Sequence, residues 1–73
     1  MNKANTLEDR LRISRKIIEM RKAKQWSITD LSNATGMNRS NIHRIENGRY
    51  SPSIDVLSRI ADAFDCKIDF VKC

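Results

Sequence analysis

Residues 27–48, SITDLSNATGMNRSNIHRIENG, decide the fold of this chain. Ser27 followed three residues later by Asp30 has the form of a capping box, with Asp in place of Glu or Gln, so a helix of about 28–34 should follow, burying Ile28 or Leu31. Gly36 suits the left-handed backbone common just past a helix end. Asn38 then caps a second short helix, about 39–46, whose inward residues are Ile42 and Ile45, and Asn47-Gly48 ends it. A short helix held at a fixed angle to its support, with Arg39 and Arg44 on its outer face, suits the major groove of DNA. That groove is about 12 Å wide, and arginine grips guanine there with two parallel hydrogen bonds.

Upstream, Leu7, Leu11, Ser14, Ile17, Ile18 and Met20 recur at mostly helical spacing, so residues 7–23 read as an amphipathic helix. Asn5 and Thr6 can cap it, and Glu8 and Asp9 suit the positive end of its dipole. Residues 1–5 read as a polar, flexible arm. Trp26 sits at a helix junction, where a tryptophan plugs the core more often than it stacks on a base.

Downstream, Pro52 opens a fourth helix, about 53–64, with Leu57, Ile60, Ala61 and Phe64 on one face. The tail changes period: Cys66, Ile68 and Phe70 alternate with Lys67, Asp69 and Val71, the pattern of a half-buried strand over 66–71. This chain offers no second strand for it. The segment must lie flat on the core, stay frayed, or pair with another molecule, and pairing with its twin through Ile68 and Phe70 is the favoured reading.

Seventy-three residues make one domain, 1–73, near the lower end of what folds without staples. With 40% hydrophobic and 32% charged residues the chain is globular, with apolar material for one small core and little for a catalytic cavity, which weighs against an enzyme and a small-molecule substrate. The net charge of +5 is uneven: residues 1–24 carry +5, 25–50 carry +1 and 51–73 carry −1. Such asymmetry suits a polyanion on one side, although Arg12, Arg15, Lys16, Arg21, Lys22 and Lys24 equally suit a solvated helix face. No signal peptide or membrane-crossing run is evident, which points to a reducing cytoplasm and no membrane partner. Cys66, Cys73 and the single histidine do not have zinc spacing. Cys66 reads as a small core residue and Cys73 as a loose thiol, so no metal or cofactor is expected.

With Leu31, Gly36, Ile42, Ile45, Glu46-Asn47-Gly48 and Pro52 in place, and Ile17, Met20 and Arg21 in the first helix, the chain resembles the XRE or lambda-repressor-like helix-turn-helix family over about residues 13–64. The resemblance implies an all-α, compact bundle of four to five helices, to which the C-terminal strand would be added. It also implies a regulator that binds double-stranded DNA. Asn38, Arg39, Ser40 and Arg44 match the positions that face bases or flanking phosphates in that family. Asn38 could read adenine or bind a phosphate. Asn41 and His43 are read as exposed, His43 as a solvent-facing polar residue or a phosphate contact.

Asn47 and Arg49 resemble the family's backbone clamp, and Ser27 and Thr29 sit where the second helix crosses the other strand. Glu46 matches a structural position, with Arg21 its partner, tying the first helix to the third. Two positions depart from the pattern. Ser32 replaces a customary Ala without loss of smallness. Ile28 replaces a customary Gln and removes one side-chain phosphate contact, leaving the backbone N–H groups of the helix start.

The leading expectation is a sequence-specific, repressor-type regulator acting as a homodimer. The alternative is an antitoxin that neutralises a toxin protein and regulates its own promoter, with the apolar tail as the edge for that partner. A non-specific polyanion or RNA binder driven by the basic first helix is a third reading, which the helix-turn-helix pattern opposes.

Overall fold

The computed structural model describes residues 6–72. Four helices occupy them: α1 (Thr6–Ala23), α2 (Ile28–Thr35), α3 (Arg39–Glu46) and α4 (Ile54–Ala63). The proposed Asn5 cap, the 1–5 arm and Cys73 lie outside the described residues.

Local chemistry explains where these helices begin. The Ser27 hydroxyl accepts from the Asp30 N–H at 3.0 Å while the Asp30 carboxylate accepts from the Ser27 N–H at 2.8 Å, a complete capping box. Asn38 Oδ1 accepts from the Asn41 N–H at 3.0 Å and so caps α3. Ser53, rather than Pro52, caps α4: its hydroxyl accepts from the Val56 N–H, and the proline stands one residue outside the helix.

Each helix stops at a residue with positive φ: Gln25 (59°), Gly36 (73°), Gly48 (70°) and Asp65 (57°). After α1, α3 and α4 the chain closes with paired hydrogen bonds back to the last turn, such as Trp26 N–H to Arg21 C=O and Gln25 N–H to Lys22 C=O. Gly36 uses the simpler single bond, to Ser32 C=O at 2.9 Å.

α2 packs against α3 and α4, and α1 packs against α3. Their shared core is Ile17, Leu31, Met37, Ile42, Ile45, Ile60 and Phe64, with Leu31, Ile42 and Ile45 almost fully enclosed. Trp26 is a core plug: its ring stacks on Phe64 at 5.5 Å between centroids, and the Lys24 ammonium lies over its outer face at 5.1 Å.

Three further sequence expectations are corrected. The described tail contains no strand; residues 66–72 have no regular secondary structure, because an extended segment without a neighbouring ladder has nothing to satisfy its backbone groups in a sheet. Cys66 is exposed rather than a core residue: α4 ends in left-handed backbone at Asp65, and every residue from Asp65 to Lys72 is exposed. In α1 the buried stripe runs through Ser14 and Ile17, flanked by Ile13 and Met20, while Leu7 and Leu11 are exposed.

Candidate nucleic-acid interface

The angle between α2 and α3 is fixed by hydroxyls as well as by the apolar core. Thr35 Oγ1 donates to the Leu31 carbonyl at 2.8 Å and accepts from the Met37 N–H at 3.3 Å. Ser32 Oγ donates to the Met37 carbonyl, across the turn. Met37 itself is buried in that turn. These partners satisfy backbone groups that a tight turn would otherwise leave bare, so the turn resists bending. The sequence reading assigned no role to Met37, Ser32 or Thr35 as braces; small hydroxyl residues flanking a turn glycine are the only signal.

With Ile42, Ile45 and Glu46 facing inward, α3 turns Arg39, Ser40, His43 and Arg44 to solvent. Asn41 is half-buried. Asn38 and Asn47 are exposed at the two ends of α3, and Arg49 follows immediately beyond it. Arg39 Nη1 donates to Thr29 Oγ1 at 3.2 Å, which brings the first residue of α3 to the start of α2 beside the exposed Ser27. Ile28, Arg39, Ser40 and His43 line an open hollow at this junction. Ile28, half-buried, supplies its apolar floor.

Cations predominate on this face, with one exposed carboxylate, Asp30, in the first turn of α2. The stretch 27–49 contains two carboxylates, Asp30 and Glu46, and both have internal partners. Asp30 holds the Ser27 N–H. Glu46 is buried and takes Arg21 in a fork: Nε donates to Oε2 at 2.7 Å and Nη2 to Oε1 at 3.0 Å. The hydrogen bond to Glu46 is the main cause that raises the Arg21 guanidinium above its ordinary pKa, with burial opposing it. Arg21 Nη1 also donates to the Trp26 carbonyl at 2.9 Å, so one guanidinium joins α1, the α1–α2 turn and α3. Among the described residues, Arg39, Arg44 and Arg49 form no ion pair.

The basic residues of α1 divide differently. Arg12 pairs with Asp9 and Lys16 with Glu19, all exposed, and Lys24 caps Trp26. Exposed pairs of this kind contribute little to stability. No group of three or more metal-binding side chains occurs among the described residues, and no helix there is long and apolar enough to cross a membrane.

The HTH_3 helix-turn-helix family matches residues 17–71. The chain is 41% identical over 56 residues to the ImmF control region 10 kDa protein of Bacillus phage phi105, covering 77% of this chain and 62% of that protein. The match thus spans less than two thirds of the relative's length. The fold is similar to the crystal structure of an HTH_3 family transcriptional regulator from Vibrio cholerae, with a TM-score of 0.82 at 24% identity, over 86% of this chain and 35% of that one. The chain belongs to the HTH_3 helix-turn-helix family of DNA-binding transcriptional regulators, the XRE or lambda-repressor-like type.

Proposed function

We propose that this protein is a sequence-specific repressor of transcription that sets α3 in the major groove of double-stranded DNA and acts as a homodimer. The observation that carries the proposal is the outer face of α3: Arg39 and Arg44 project from it with no acid paired to either, while Glu46, the one carboxylate of that helix, is buried against Arg21. A polyanion meets only cations and neutral groups on the outer face of α3, and each guanidinium fork matches the O6 and N7 acceptors of guanine.

Arg39, Ser40 and Arg44 would read base edges. Asn38 spends its side-chain oxygen on the α3 cap, which leaves its NH2 group to donate to a base or phosphate. Ser27, Thr29, Asn41, His43, Asn47 and Arg49 would hold phosphates, together with the free N–H groups at the start of α2. Arg21 and Glu46 brace the reading helix from behind. Repression follows from occupying a promoter.

Selection from a library of random duplexes at fixed salt tests this. The expected result is an enriched motif made of two inverted half-sites whose centres lie about 34 Å, one helical turn, apart. Enrichment of nothing above background would reject sequence-specific reading.

A second reading, an antitoxin that also binds a toxin protein, is favoured by the exposed tail residues Ile68, Phe70 and Val71. A toxin-like reading frame beside its own gene, whose product co-purifies stoichiometrically with it, is the outcome that would establish this reading.

A further inference from the structure

The exposed large hydrophobic side chains among the described residues fall into two groups. Leu7, Leu11, Tyr50 and Ile54 lie on the first half of α1, the α3–α4 connection and the first turn of α4. Ile68, Phe70 and Val71 lie on the tail. The first group belongs to the segments that frame a single apolar groove, walled by Ile13, Ile45, Pro52 and Leu57 and enclosing about 150 Å³. A cavity of about that volume, lined by aliphatic side chains, accepts one benzene ring. The chain has two phenylalanines: Phe64 is in the core, and Phe70 is 101% exposed.

Polar groups match as well. Asp9 and Arg10 both line the groove; Asp9 is paired with Arg12, whereas Arg10 Nη1 donates to Ser51 Oγ at 3.3 Å and its Nε is buried without a hydrogen-bond partner. A guanidinium with an N–H that has no protein partner gains from an acceptor that reaches it. Beside Phe70, Asp69 carries an exposed carboxylate whose Oδ1 holds only the adjacent Phe70 N–H, at 2.8 Å.

We propose that Phe70 of one copy seats in the α1/α4 groove of a second copy, with Asp69 brought to Arg10, and that the exchange is reciprocal. The inference rests on, and gives a geometry to, the homodimer in the function proposed above. Reciprocal insertion of one tail into each groove generates a closed two-fold dimer, because the same two patches are used on both sides. It covers the fully exposed Phe70 ring and needs no regular strand in the tail.

The test is NMR on a mixture of isotope-labelled and unlabelled protein, filtered for contacts between copies. The expected result is cross-peaks between the Phe70 ring of one copy and the Ile13 and Leu57 methyl groups of the other. In sedimentation equilibrium, Phe70→Ala is expected to weaken the dimer about tenfold or more, as is Ser51→Phe, which fills the groove while leaving the tail intact. Three results would overturn the proposal: contacts between Phe70 and the partner's tail, contacts of Phe70 with its own Leu57 only, or a monomer at NMR concentration. DNA binding by anisotropy separates the two claims. A monomer that still prefers one half-site sequence sinks the dimer and leaves the reading helix. Groove contacts without any sequence preference do the reverse.

Discussion

Arg21 and Glu46 stand 25 residues apart and meet in a two-pronged ion pair at 2.7 and 3.0 Å, with the arginine side chain 13% and the glutamate side chain 5% exposed. Removing one partner strands the other's charge. Glu46→Ala is therefore expected to cost about 3 kcal/mol in chemical denaturation, whereas Arg21→Met combined with Glu46→Leu should cost clearly less than the single change. The arginine side adds no pH dependence near neutrality. Its folded pKa lies above its unfolded one, so the contribution is complete below the unfolded value and is lost only as pH rises through the folded value, beyond the ordinary arginine range.

The helix ends predict substitutions of opposite sign. Gly36→Ala puts a Cβ on a residue with φ of 73° and should cost about 1 kcal/mol, with Gly36→Asn recovering part of it. No heavy atom would crowd that Cβ within 4 Å, so the cost is backbone strain alone. Gln25 occupies the same left-handed region at φ 59° without being glycine, and Gln25→Gly is expected to stabilise by about 0.5 kcal/mol. Thermal unfolding of the three variants checks the signs.

Ser27 separates capping from phosphate binding. Ser27→Ala loses the bond from the Asp30 N–H and should cost about 1 kcal/mol. Ser27→Asp keeps a capping acceptor, so stability should change by less than about 0.5 kcal/mol, yet it places a carboxylate where phosphate would approach. Weaker binding to every duplex, at unchanged melting temperature, is the expected pair of results.

Arg49 lies past α3 with no acidic partner among the described residues, and we propose that it holds phosphate. Arg49→Ala should weaken specific and random duplexes alike and lower the slope of log K against log salt by about one. Titrations at four or five salt concentrations measure it.

The α2–turn–α3 unit was legible because each boundary carries its own chemical signal: Ser27 with Asp30, Gly36, Asn38, and Gly48. The ends at Gln25 and Asp65 carried no such signal, since left-handed backbone is uncommon in residues with a side chain. The tail misled because alternation over Cys66–Val71 reports which side chains are apolar, not whether a neighbouring strand exists to pair with. Periodicity likewise placed Leu7 and Leu11 inward. The inward positions of α1 are instead Ser14, whose hydroxyl donates to the Ile45 carbonyl at 2.6 Å, and Ile17. At the interface, the Arg39–Thr29 bond was not legible, because it joins side chains across two helices whose angle only the packed core sets.

Comparing wild type, Arg39→Ala and Arg44→Ala on the selected duplex and on a scrambled duplex, at one salt concentration, tests whether the outer face of α3 reads bases. Each variant is expected to lose about 1–3 kcal/mol on the selected duplex, little on the scrambled one, and discrimination at one base pair per half-site. Equal losses on both duplexes would instead assign these arginines to the phosphate backbone.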